Sequence, residues 1–278
     1  MGYLLLAIFC SAMISITMRL SSGKVGGQYS MLAANYLVCG ILGALYADFS
    51  QFSLDTDGFG VTALLAAANG VMLLGGLITL QICTRKNGVV LSSLFMKLGL
   101  LVPFAVSILF FEETPTWLQV AGFCLAIGAI VLFNLKREGG SSHFGLSLIL
   151  LLLLNGGVDT AIKTFEALGP AALSDHFLCF SFSVAFVLCM GLVIAKRERP
   201  DGKALLYGAA MGIANFFSSK FVLAALTRIQ AVVLFPTYSV ATMLVVTLSG
   251  VIFFRERLKR RQWLAFGAVI GALILLNI

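Results

Sequence analysis

Apolar runs of roughly twenty residues, separated by short polar turns, repeat along the chain from end to end. A membrane-spanning helix needs about 20 such residues, and the pattern predicts ten of them. The expected boundaries are 2–20, 29–47, 61–82, 88–111, 116–135, 144–165, 174–195, 204–226, 230–254 and 261–278. Segments such as Leu148–Leu154 are continuously apolar, without the alternation a membrane β-barrel needs, so the spans are helices. Turn residues fall between them: Ser21-Ser22-Gly23, Asp55-Thr56-Asp57-Gly58, Gly139-Gly140-Ser141-Ser142 and Pro200-Asp201-Gly202.

Composition agrees. Of 278 residues, 60% are hydrophobic and only 11% charged, against about 45–50% and about 25% in soluble domains. The mean hydropathy is +1.02. So few charges leave a water-soluble surface uncovered, which excludes a soluble enzyme, a disordered chain, a coiled coil and a disulfide scaffold. The first apolar run has spanning length and no basic segment before it, so no cleavable signal peptide is expected. The helices and their turns use nearly the whole chain, so no appended soluble domain is expected either. The six cysteines lie in or beside apolar runs with no CxxC pair, and read as small buried hydrophobes.

The net charge of +7 does not call for a nucleic-acid partner, because it is distributed by loop. Odd-numbered loops carry Arg19, Lys24, Arg85, Lys86, Lys136, Arg137, Lys196, Arg197, Arg199, Lys203, Arg255, Arg257, Lys259, Arg260 and Arg261. Even-numbered loops carry only Arg228, beside Asp48, Asp55, Asp57, Glu112 and Glu113. Cytoplasmic loops collect Lys and Arg, so this asymmetry predicts both termini outside a bacterial-type plasma (inner) membrane.

Shifted by 143 residues, the chain aligns with itself. Phe110–Asn134 reads FFEETPTWLQVAGFCLAIGAIVLFN and Phe253–Asn277 reads FFRERLKRRQWLAFGAVIGALILLN, with ten of 25 positions identical, Glu113/Glu256 and Gln119/Gln262 among them. The predicted organisation is two five-helix repeats, 1–135 and 144–278, joined by a linker at 136–143. A repeat with an odd number of crossings is inverted, the architecture of alternating-access transporters that hold substrate near the midplane.

The FFEE…Q and FFRE…Q segments, each followed by GA..L, resemble the EamA-type branch of the drug/metabolite transporter superfamily. The resemblance covers the chain in length, helix count and repeat spacing. It implies a carrier or exporter of amino acids or other small metabolites, with a cavity lined mainly by the first, third and fourth helices and their second-half counterparts. Two positions depart from the family pattern. The segment after the second helix is acidic here, where the family is more often basic. The proline about ten residues before the motif Glu is present as Pro103 but replaced by Val246 in the second half.

A charge inside hydrocarbon costs at least about 2.5–3.5 kcal/mol on insertion scales, so intramembrane charges are functional candidates. Lys97 lies about 13 Å into the predicted fourth helix, near the midplane, with Ser93 one turn away. The alternative is a structural or snorkelling lysine. Asp159 and Lys163 on the sixth helix are spaced for an i,i+4 pair, and Asn155 continues their stripe. Lys220 on the eighth helix lies at a depth close to that of Asp159. The expected arrangement pairs Asp159 with Lys220, lets Lys163 reach the interface, and leaves Lys97 for a negatively charged substrate. Asn69 and Asn215 occur as Ala-Asn in the two halves and serve either helix packing or cavity lining. Tyr238 and Pro236 offer an aromatic wall and a local break. Glu113 and Glu256 are expected to fix the turns and not to touch substrate.

No HExxH, GxSxG or phosphate loop is present, and His143 and His176 are the only histidines. No enzyme activity, cofactor or metal is expected. The first helix holds no acidic residue, unlike the small multidrug carriers, which resemble one half of this fold and use a buried Glu there for cations. The expected function is secondary transport of a small polar, anionic or zwitterionic metabolite, by a monomer or homodimer in the lipid bilayer. A lipid head-group flippase and a non-transporting membrane subunit are the alternatives.

Overall fold

The computed structural model describes residues 1–49, 57–134, 146–254 and 260–278. Ten α-helices follow one another, and no strand occurs among the described residues: α1 (Gly2–Ser21), α2 (Gln28–Tyr46), α3 (Phe59–Lys97), α4 (Leu101–Phe110), α5 (Trp117–Asn134), α6 (Leu146–Leu168), α7 (Ser174–Ala195), α8 (Gly202–Leu226), α9 (Ala231–Phe254) and α10 (Arg260–Leu276). Among the described residues, eight apolar stretches are long enough to cross a membrane, and two shorter ones lie in α5 and α10. Large apolar side chains stand exposed on many helices, for example Leu64 at 71% and Leu206 at 70%. A bilayer accommodates such a surface and water does not. The chain is an all-helical, multi-pass membrane protein. The predicted linker 136–143 lies outside the described residues, as does Glu256.

The break expected between residues 82 and 88 comes a few residues later, since Cys83–Asn87 is helical and the candidate spans are Phe59–Asn87 and Leu91–Phe110. Cys83-Thr84-Arg85-Lys86-Asn87 contains no helix breaker, and α3 runs through it for 39 residues, about 58 Å if straight. It is not straight. A Cβ on Gly76 would lie 3.3 Å from Asn155 Nδ2, and one on Gly99 would lie 3.3 Å from Asn155 Cβ. A straight helix would hold these two glycines about 35 Å apart. The chain therefore doubles back between them, and Phe59–Asn87 and Leu91–Phe110 are separate candidate spans. The expected fourth helix is itself interrupted, by a 3₁₀ turn at Leu98–Leu100. Pro103 supplies the reason: with no N–H, it cannot donate to the carbonyl of Gly99 four residues back.

The helices sort into two compact units, Met1–Leu74 with Ala161–Arg228, and Gly75–Thr160 with Ile229–Ile278. Two of the three boundaries fall inside α3 and α6 and the third between α8 and α9, so the units do not coincide with the two sequence halves. In the first unit α2 packs antiparallel to α7: Cys189 Sγ donates to Tyr29 O at 3.5 Å and Cys179 Sγ to Gly40 O at 3.7 Å. Antiparallel packing also joins α1 to α8, where Ser218 Oγ donates to Ala7 O at 3.2 Å and Tyr3 stacks on Phe221. A Cβ on Gly212 would lie 2.6 Å from Asn35 O and 2.9 Å from Val38 Cβ, while one on Gly70 would lie 2.6 Å from Ser181 O and 2.7 Å from Val184 Cβ. Only glycine permits these approaches of α8 to α2 and of α3 to α7.

In the second unit α5 and α10 are antiparallel, with Gly122 against Leu275 and Gly271 against Leu125. Leu100, Phe123, Ile130, Val240, Val269 and Leu276 form its core. The tightest crossing brings Gly99 to α6. A Cβ on Gly156 would lie 2.6 Å from Val102 Cβ and closer still to Gly99 O.

Gly156→Ala is therefore expected to be destabilising by about 1–3 kcal/mol, the cost of overpacking a filled interior. A thermal melt of the purified variant checks this, and an unchanged melting temperature contradicts it.

Candidate functional site

The Gly99–Gly156 contact positions two charges. Lys97 lies two residues before Gly99, at the last turn of α3, and Asp159 lies three residues after Gly156 on α6. Each is the other's electrostatic counterpart. Both side chains are half-buried, and among the described residues neither makes a hydrogen bond or a salt bridge. Lys97 and Asp159 are thus electrostatic neighbours without a direct bond, beside the 3₁₀ turn at Leu98–Leu100. Asn155, one turn before Asp159, donates to Leu151 O at 3.0 Å and faces Gly76. Ser93 lies one turn before Lys97 and is half-buried, as is Tyr238 on α9.

This arrangement corrects the pairing expected from sequence. Lys220 bonds not to Asp159 but to Asp175, Nζ to Oδ1 at 2.7 Å. Lys163 bonds to Glu166 at 2.9 Å, an i,i+3 pair. With both alternative lysines committed elsewhere, Asp159 answers Lys97. Asp159, expected to neutralise Lys220, is instead the acidic neighbour of Lys97. Asp175 and Glu166 stand near the ends of α7 and α6, where a carboxylate cannot be told from a loop residue by sequence alone. The i,i+3 spacing of Lys163 and Glu166 was the available signal; nothing in the spacing marks Asp175 for Lys220.

The two asparagines separate. Asn215 Nδ2 donates to Asn35 Oδ1 at 3.3 Å, a bond between α8 and α2, so it serves helix packing in the first unit. Asn69 is 3% exposed, and its Oδ1 has no hydrogen-bond partner among the described residues. Asn35 escaped notice because a lone asparagine within an apolar run carries no periodic signal.

Glu113 does structural work at a place the sequence does not indicate. Its carboxylate accepts the backbone N–H groups of Ala231 at 3.2 Å and Val232 at 2.9 Å, the first two residues of α9. It satisfies donors that the helix leaves open and places negative charge at the positive end of the dipole. Glu198 treats α2 the same way, accepting from Tyr29 N at 3.3 Å and Ser30 N at 2.6 Å. Both glutamates follow a residue with positive φ, Glu112 at 52° and Arg197 at 50°, which ends the preceding helix in the left-handed region. Asp201 accepts from Ala204 N at the start of α8 and from Gly26 N at 3.1 Å. These bonds hold its carboxyl below the usual carboxylate range.

No family model matches the chain. It is 25% identical over 280 residues to an uncharacterized protein of Haemophilus influenzae, covering 95% of this chain and 93% of that protein. A solved crystal structure shares the fold with a TM-score of 0.73 at 16% identity, over 98% of this chain and 94% of the other.

Glu113→Gln keeps the side-chain shape but removes the charge and one acceptor. The expected loss is about 1 kcal/mol of stability, read as a lower melting temperature. Ligand affinity of the folded protein should not change, and a normal melt with abolished binding contradicts this assignment.

Proposed function

We propose that the chain is a secondary carrier of a small zwitterionic metabolite such as an amino acid, working by alternating access in the plasma (inner) membrane. The observation that carries this reading is the pair of opposed charges at Lys97 and Asp159, half-buried among apolar helices and not in contact. A zwitterion fits such a gap, with its carboxylate toward Lys97 and its ammonium toward Asp159. It meets both charges and adds none to the membrane interior. A lone anion satisfies Lys97 but sets its charge against Asp159. The 3₁₀ turn at Leu98–Leu100 supports the reading, since such a turn within a helix often marks a functional hinge. With no nucleotide-binding motif, transport is driven by a gradient or by exchange.

The proposed architecture is a ten-helix inverted repeat of the EamA type. In an inverted repeat each helix runs opposite to its counterpart five positions later. The antiparallel pairs α2/α7 and α5/α10 agree with that rule. So does the recurrence of one contact: Gly212 against a carbonyl and a Cβ three residues on in α2, and Gly70 against a carbonyl and a Cβ three residues on in α7.

A thermal-shift screen of amino acids and of anionic and cationic metabolites tests the substrate class. Zwitterions should stabilise the protein. Lys97→Met and Asp159→Asn should each weaken their binding about 10–100-fold, the worth of a hydrogen bond to a charged group. The double variant leaves no unpaired buried charge, so it should fold and still not bind. Lys97→Arg should retain part of the affinity, because guanidinium differs in shape from ammonium. Unchanged binding by Lys97→Met, or a preference for singly charged metabolites, defeats the proposal.

The loop charges favour an orientation with both termini outside. A periplasm-active reporter fused after Ile278 should be active, and a cytoplasm-only fluorescent reporter there should be dark. The opposite pattern reverses the orientation.

A further inference from the structure

At one end of the first unit, three helices converge on a single ammonium. Lys220 Nζ on α8 lies 2.7 Å from Asp175 on α7 and 3.8 Å from the centroid of the Tyr46 ring on α2. The Phe216 ring stands 6.0 Å from the same nitrogen and stacks on Tyr46 at 5.6 Å and 25°. Phe217 closes the group edge-on to Tyr46, at 6.0 Å and 83°. A carboxylate together with aromatic faces is the arrangement by which proteins recognise organic ammonium ligands. Here the ammonium belongs to the chain itself.

The recess is not sealed. The side chains of Lys220 and Asp175 are 27% and 28% exposed. They open on a cavity of about 180 Å³ between the ends of α6, α7 and α8, with Phe165, Leu178 and Leu223 among its apolar walls. Glu166 also lines the cavity, but Lys163 engages it at 2.9 Å. Asp175 is left as the carboxylate that holds the ammonium under the aromatic rings. An ion pair whose only role is to join two helices needs neither an aromatic face over the nitrogen nor an adjoining cavity.

We propose that Tyr46, Phe216 and Asp175 form a binding site for small organic ammonium ions, which the protein keeps filled with Lys220. A side chain tethered beside its own site presents its ammonium at an effective concentration of about millimolar or above. Dilute external amines therefore do not displace it. All the residues of this site belong to the first unit, whereas Lys97 and Asp159 belong to the second, so the inference does not rest on the carrier reading.

Calorimetric titration of the full-length protein with ethylammonium and tetramethylammonium at constant ionic strength tests it. Lys220→Ala empties the recess and should bind both ions at least about tenfold more tightly than the wild type, whose site remains plugged. Lys220→Arg refills the recess and should behave as the wild type. Adding Asp175→Asn to Lys220→Ala should remove the gain. Lys220→Met supplies a second vacated site with its apolar stem filled, and should bind tetramethylammonium. A rise in the melting temperature of either variant on adding ethylammonium, absent with propanol, also supports the proposal. It is overturned if Lys220→Ala and Lys220→Met bind no more tightly than the wild type, if Asp175→Asn has no effect, or if neutral propanol binds as well as the cations.

Discussion

Helices in hydrocarbon gain little from hiding one apolar surface against another, because lipid tails are equally apolar. Close backbone approach at small residues replaces that driving force, and the structure depends on it throughout. Gly43 sits against the backbone of Cys179, Gly212 against Asn35, Gly70 against Ser181, and Gly156 against Gly99. The functional geometry follows from the last of these. Lys97 and Asp159 are brought together because α6 and the chain around Gly99 pass where no Cβ fits.

A second device ties distant parts of the chain by charge. Glu113 and Glu198 each leave a finished helix through a residue of positive φ and end on the open N–H groups of a helix more than a hundred residues away. Each bond crosses from one sequence half to the other: Glu113 in the first half holds α9, and Glu198 in the second holds α2. The carboxylate of Asp201 adds a similar link between the turn at Gly26 and the start of α8. Polar groups near the ends of the spans thus fix the pairing of elements whose apolar faces are close to interchangeable.

Helix positions were legible in the sequence because a spanning helix needs a long apolar run and a turn between runs needs polar or flexible residues. The predicted 174–195 and 204–226 differ from α7 and α8 by no more than two residues. The segment at Cys83–Asn87 misled because polar residues mark the end of a hydrophobic stretch but do not by themselves end a helix. Glu113 was legible as a structural residue through its recurrence, though not its partner. The charge pairs were less legible. Depth along separate helices favoured Asp159 with Lys220, yet Asp175 and Glu166 take the two lysines, and which helices touch is decided by glycine contacts that leave no periodic trace. Asn35 and Tyr46 have no local signature at all.

Each compact unit draws helices from both halves of the sequence, and this has a consequence for biogenesis. The partners of α1 and α2 in the first unit are α7 and α8. About 130 residues of chain are made after α2 before α7 begins, which at typical synthesis rates of about 5–20 residues per second takes roughly 6–26 seconds. Throughout that interval Asn35 enters the membrane without Asn215, and the backbone donors of Tyr29 and Ser30 wait for Glu198. Assembly must therefore proceed from inserted but unassociated helices. Nascent α1 and α2 need temporary shelter, at the insertion machinery or in the lipid head-group layer, until the second half arrives.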